Sequence, residues 1–304
     1  MPCIFPIGGG KGGIGKSFIA ANLGVLLAKM GLKVVLIDLD LGAANLHTFI
    51  GQRNPKIGLN EFLSKAFSDL DHVVASTLIQ NLYIINSMNC SMEIANLFHA
   101  QKQKIIRAIH NLPYDYILLD LGAGTSYNNL DFFLTSDQGL FVVTPEPTAI
   151  ENTFRFIKSV YFRRIKQIIK QNEFNTLLRS SGDDEKQKIM KSPTYIMEIV
   201  GRSDPEKAEM LASHLRKFRF KFILNQIRKH TDDTLGDKIA RVCNKHFYSM
   251  FEFLGNINYD DKVYDSISAK NIYSNTYPFT STAMDLKHIV KKMTKNGSSL
   301  DPVP

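Results

Sequence analysis

The chain contains no tryptophan, and its three cysteines, Cys3, Cys90 and Cys243, lie far apart. No Cys-x-x-Cys pair occurs, which argues against a zinc ribbon or a secreted disulfide framework. Long hydrophobic runs are also missing. Nothing approaches the ~18 apolar residues of a membrane span. The opening stretch from Met1 to Ile7 carries no basic segment and is too short for a signal peptide. A cytoplasmic location is therefore expected. Acid is in deficit, with 29 Asp and Glu against 37 Lys and Arg, a formal net charge of +8. Such a balance suits phosphate-rich partners, either nucleic acid or an anionic membrane face, and does not choose between them.

What is present is the material of an α/β protein. At 304 residues and 44% hydrophobic, the chain can bury a full core. Short apolar runs at residues 3–7, 33–37, 82–85, 116–119, 140–143, 220–224 and 251–257 read as buried strands. Helical patterns stand between them, among them 17–29, stopped by Gly31, and 93–111, stopped by Pro113. Repeated β-α units predict a mostly parallel sheet with helices on both faces, a doubly wound architecture. No internal repeat occurs. Residues 1–295 are expected to form one domain with an insertion at 171–217, where the polar stretch 179–188 interrupts the pattern. Residues 296–304 are expected to be a disordered tail.

The first chemical motif is Gly10-Lys11-Gly12-Gly13-Ile14-Gly15-Lys16-Ser17, matching G-x-x-x-x-G-K-[ST]. It follows a strand and opens a helix, the context that gives such a match meaning. Glycines let the backbone curl around phosphate oxygens with its N–H groups inward, and the helix N-terminus adds positive potential. Lys16 is expected at the β- and γ-phosphates, with the Ser17 hydroxyl on Mg²⁺. A glycine-rich corner alone would leave the Lys-Ser pair unexplained.

Two further runs end in acid. Residues 34–37 lead into Asp38-Leu39-Asp40, and residues 116–119 into Asp120-Leu121-Gly122-Ala123-Gly124. At the C-terminal ends of parallel strands beside the P-loop, such carboxylates face the nucleotide crevice and can hold Mg²⁺. Gly122 and Gly124 give the following loop the freedom to turn an N–H toward a γ-phosphate.

The segment from Lys11 to Ser17 resembles the deviant Walker A box of the MinD/ParA ATPases, marked by the additional Lys11. The resemblance continues through Asp38–Leu46, including the switch residue Asn45, and through Asp120–Gly124. Residues 136–148 are similar to the FlhG/FleN flagellar-number regulators and their MinD-like relatives. The resemblance implies ATP and Mg²⁺ as cofactors and an ATP-dependent sandwich homodimer in which Lys11 reaches the partner's phosphates. It also implies Asp40 positioning the attacking water, Asp38 and Asp120 near Mg²⁺, and Asn225 against adenine. Two departures stand out. Phe18 replaces a second hydroxyl residue beside the phosphates, and Asn258 stands where relatives have proline in a Gly-x-Ile-Pro loop. FlhG proteins carry an N-terminal extension, whereas Met1 here abuts the first strand, so activation of a flagellar GTPase is not carried over.

Two basic helices bear on partners. Residues 154–170 hold six basic side chains and no acid. Their apolar stripe predicts a core face, and Arg163 and Arg164 are the candidates for docking a regulatory protein or an anionic membrane. Near the C-terminus, Leu286, Ile289, Val290 and Met293 form a stripe that reads as a packed helix rather than a membrane anchor. The leading expectation is a dimerising ATPase switch in spatial regulation, at the division site, a flagellum or a related polar structure. A ParA-like partitioning ATPase, with non-specific DNA as matrix, and a metabolic ATP-dependent ligase are the alternatives. An iron–sulfur role lacks the cysteines it would need.

Overall fold

The computed structural model describes residues 2–53, 56–87, 97–169, 171–180 and 182–295. Its strands are β1 (Cys3–Gly8), β2 (Val34–Leu39), β3 (Ala75–Ser76), β4 (Leu82–Ile85), β5 (Tyr116–Leu121), β6 (Gln138–Val143), β7 (Arg219–Ile227) and β8 (Met250–Asn258). They form one sheet in the order β3-β4-β2-β5-β1-β6-β7-β8. All pairings are parallel except β3 against β4. The predicted strand segments are all present; β3 was not foreseen, because a half-exposed alanine and an exposed serine make no apolar run.

Continuous apolar strands follow from burial on both faces. Val35, Ile37, Ile117, Leu119, Phe141 and Val143 point into one core, and Val34, Leu36, Leu118, Leu140 and Val142 into the other. The second core is closed by the helix Lys16–Lys29, which follows β1, and by the C-terminal helix Ser281–Lys295. Leu286, Ile289, Val290 and Met293 are all buried there. The stripe is therefore spent on packing, as expected. No helix among the described residues is long and apolar enough to cross a membrane.

Residues 171–217 are largely helical. Four helices, Gln171–Ser180, Asp183–Lys191, Pro193–Ser203 and Pro205–Arg216, occupy this stretch. Proline opens the last two, where its missing N–H costs nothing, and the Asp204 carboxylate caps the fourth by accepting from the Lys207 N–H at 2.9 Å. Ile189, Ile196, Val200, Leu211 and Leu215 join the first core. The helix expected over 93–111 is seen as His99–His110; residues 88–96 lie outside the described residues, as does the expected tail 296–304.

The basic helix runs Pro147–Ile168 and buries Ile157, Tyr161 and Ile165. The two arginines expected at a docking face have partners inside the chain. Arg163 donates from Nε and Nη2 to the two carboxylate oxygens of Asp131, at 2.6 and 2.8 Å. Lys102 Nζ reaches the same carboxylate at 2.5 Å, and Arg164 pairs with Asp137 at 3.0 Å. The one acid of the helix, Glu151, pairs with Arg155 one turn on, and the acids facing Arg163 and Arg164 come from neighbouring elements. Burial alone would raise the Asp131 carboxyl, but hydrogen bonds from Arg163 and Lys102 outweigh it and hold the group below the ordinary carboxylate range.

Removing Asp131 would strand two cations, one of them, Lys102, fully buried. Asp131→Ala should lower the unfolding free energy by about 3–5 kcal/mol at neutral pH. A carboxyl depressed in the fold contributes stability above its unfolded value and loses it as pH falls through its folded value. The gap between wild type and variant should therefore narrow below about pH 4. Urea titrations at pH 7 and pH 3.5 measure both; equal stability at pH 7 would show the acid to be dispensable.

Candidate functional site: a nucleotide cleft at the strand ends

The register of the sheet assembles the site. Asp120 on β5 is level with Ile7 of β1 on one side and with Asp38 of β2 on the other. The chain leaves β1 as the loop from Gly9 to Gly15 and enters the helix at Lys16. Two glycines there have no substitute. A Cβ on Gly10 would lie 2.2 Å from the Asn152 carbonyl oxygen, and Gly15 has φ of +90° with Asn225 Nδ2 2.3 Å from where its Cβ would be.

The loop is also propped from β7. Asn225 Nδ2 donates to the Ile14 carbonyl at 2.8 Å, and Gln226 Nε2 to the Gly13 carbonyl at 3.1 Å. With these carbonyls held outward, the loop's N–H groups are left for a ligand. Asn225 lines the cleft, as its expected adenine role requires, yet its amide also braces the phosphate loop.

Lys16 is almost fully buried. Burial lowers its ammonium, while Asp120 and Asp40 pull it back up. Asp120 is raised to about 7, first by burial and further by Asp40, against a hydrogen bond from Ser17 and the charge of Lys16. Asp38 is raised as well, by burial and by Asp120. Its two oxygens accept the N–H groups of Asp40 and Leu46, each at 3.1 Å, so it folds the turn that carries Asp40 and Asn45. Asp38 is thus seen holding backbone with both oxygens.

One oxygen of Asp120, Oδ1, is buried without a hydrogen-bond partner. Beside the Ser17 hydroxyl it offers hard oxygen to a small divalent cation, and Mg²⁺ takes few protein ligands because it keeps water and phosphate oxygens. No group of three or more His, Cys, Asp or Glu residues gathers as a metal cluster among the described residues. The donor set fits Mg²⁺ held jointly with a nucleotide.

The cleft has a volume of about 600 Å³, within the range of small-molecule sites. Gly12, Gly13, Lys16, Ser17, Asp40 and Asn45 line its phosphate end. Phe18 is buried and packs edge-on against Tyr273, with centroids 5.3 Å apart, so its ring replaces a hydroxyl with apolar wall. Gly122 allows the close approach of Asp40, whose Oδ1 lies 3.1 Å from where a Cβ would stand. Gly124 has φ of +82° and donates its N–H to the Gly9 carbonyl at 3.4 Å. Lys11 is exposed, and the lining of the cleft begins at Gly12. Arg163 and Arg164 take no part in it.

Sequence reasoning missed the opposite wall, which includes Tyr259, Asp260, Val263, Ile267 and Thr282. The signal was available, since Tyr259 follows the C-terminal end of a parallel strand. Asn258 was read as a departure. Its N–H and its Nδ2 both donate to Asp285 Oδ2, at 3.0 and 2.8 Å, and a proline there could make neither bond.

Fold and site together define a nucleotide-binding protein of the P-loop class. The CobQ/CobB/MinD/ParA nucleotide binding domain matches residues 6–272, and the chain belongs to that family of P-loop ATPases. The septum site-determining protein MinD of Thermotoga maritima is 31% identical over 158 residues, 52% of this chain and 58% of that protein. The chain thus spans little more than half the length of this relative. Among solved structures, MinD of Pyrococcus horikoshii complexed with Mg-ADP aligns over the whole of both chains with TM-score 0.67 and 20% identity. The MinC:MinD cell division protein complex of Aquifex aeolicus aligns over 99% of both chains with TM-score 0.63 and 19% identity. These likenesses establish the fold.

Lys16 is the buried cation at the phosphate end, and Lys16→Ala should remove measurable ATP binding while leaving the fold intact. Calorimetry with MgATP decides it; equal affinity in wild type and variant would take Lys16 out of the site.

Proposed function

We propose that the chain binds ATP with Mg²⁺ and hydrolyses it slowly as a nucleotide-dependent dimeric switch in spatial regulation, at the division site, a flagellum or a related polar structure. One observation carries this reading: Lys16, Asp40 and the Gly122–Gly124 loop meet in one cleft while Lys11 stays exposed at its edge. The cleft is equipped to bind a nucleotide, and a further cation delivered by a second copy would complete it.

Phosphoryl transfer to water is mostly positioning and charge neutralisation. In this reading Ser17 and Asp120 would hold Mg²⁺, which would supply charge to offset that of the phosphates. Lys16 neutralises the β- and γ-oxygens, and the carboxylate of Asp40 orients the attacking water. Lys11 of the partner copy approaches the γ-phosphate, so turnover depends on dimer formation. The bound Mg-ADP and the MinC complex of the two archaeal and bacterial structural neighbours support nucleotide binding and a regulatory protein partner for this chain. Net positive charge supports peripheral contact with an anionic membrane through surface charge, since the C-terminal stripe is buried.

Asp40→Ala should bind ATP and stay a dimer, because hydrolysis no longer releases it, while Lys11→Ala binds as a monomer and loses turnover. Light scattering with ATP and phosphate release measure both. A monomeric Asp40→Ala in saturating ATP would contradict the switch. Sedimentation with anionic liposomes and with duplex DNA in parallel separates this reading from DNA partitioning.

A further inference from the structure

We infer that Asn129 is a positioning residue that presets the loop Gly122–Gly124 for the γ-phosphate, an inference that rests on the ATPase reading above. Asn129 is buried, 7% exposed, in the helix Tyr127–Phe133 that follows this loop. Its side-chain Nδ2 lies within hydrogen-bond distance of three successive carbonyl oxygens, those of Gly122 at 3.0 Å, Ala123 at 2.9 Å and Gly124 at 3.2 Å. Its own N–H is capped by the Ser126 hydroxyl at 3.2 Å.

The consequence follows from peptide geometry. In a trans peptide, C=O and the following N–H point to opposite sides. Three carbonyls drawn to one side chain turn the N–H groups of Ala123, Gly124 and Thr125 the other way. One of them is seen there, as Gly124 donates to Gly9 of the phosphate loop. Asn129 thus arranges a small nest of donors facing the P-loop, the geometry that binds an anion. An amide NH₂ has two hydrogens for three acceptors, so one peptide can rotate toward a phosphate while the others stay held.

The anchor behind this clamp is the buried ion cluster. Asp131, two residues on in the same helix, is fixed by Arg163 and Lys102 from two other helices. The clamp therefore pulls against a fixed point. Burial and three carbonyl contacts mark Asn129 out from the other polar residues of its helix.

Asn129→Ala and Asn129→Asp test the role, the second keeping size and shape while replacing the donor with an acceptor. Calorimetry with ADP and with a non-hydrolysable ATP analogue, steady-state kinetics, and hydrogen exchange of residues 122–125 are the readouts. ADP affinity should stay within about twofold, since the P-loop is untouched, while analogue affinity and kcat each fall about tenfold or more. In the wild type, the amides of 123–125 should gain protection with the analogue and not with ADP, a result that needs no variant to fold. Variants that lose only melting temperature, and keep both kcat and the preference for the analogue over ADP, would overturn the role. So would a wild type whose loop amides respond equally to the two nucleotides. A wild type that binds neither nucleotide would instead overturn the ATPase reading.

Discussion

Asp120 sits at the end of a central strand with 1% of its surface exposed and one oxygen unpartnered, next to a buried lysine and a second buried acid. Carboxylates in such a place are costly unless cations share them. The parallel sheet creates the situation, because register sets Asp120 level with Asp38 while β1 delivers the phosphate loop beside them. Lys16 offsets part of the charge, and a divalent cation with a polyphosphate would complete the balance. The glycines, the turn folded by Asp38 and the props from β7 all serve to hold these charges in register.

The phosphate end was legible in the sequence for a physical reason. Lys16, Ser17, Asp40 and Asp120 lie on continuous segments where an apolar run, a turn and a charged residue follow within a few positions. Of the cleft's other wall, Asn225 was named from the sequence, while the residues from Tyr259 to Thr282 are distant from the P-loop and marked only by following a strand end. Asn129 escaped because a polar residue one turn into a helix looks solvated until burial is known. Asn258 is the reverse case. Its difference from the family pattern was plain, but the N–H it supplies to Asp285 is visible only in three dimensions.

A charge count along the basic helix leaves its ion-pair partners out of view. Six cations in residues 154–170 suggested an open docking face, yet Arg163 and Arg164 are answered by Asp131 and Asp137, both preceding the helix in the chain. Arg163 also lies over the exposed ring of Tyr127, 4.9 Å away, so this side of the helix is tied to the segment following the Gly122–Gly124 loop. Its arginines therefore tie this helix to the segments that carry Asp131 and Asp137.

The central claim is that buried acid, buried lysine and phosphate loop form one site for a nucleotide and Mg²⁺ together. Titration of the intact chain with ADP, in the presence of Mg²⁺ and again with a chelator, tests it most directly. The account predicts one site per chain in Mg²⁺ and an affinity at least about tenfold weaker without it. Equal affinity in the two conditions, or no binding in either, would contradict it.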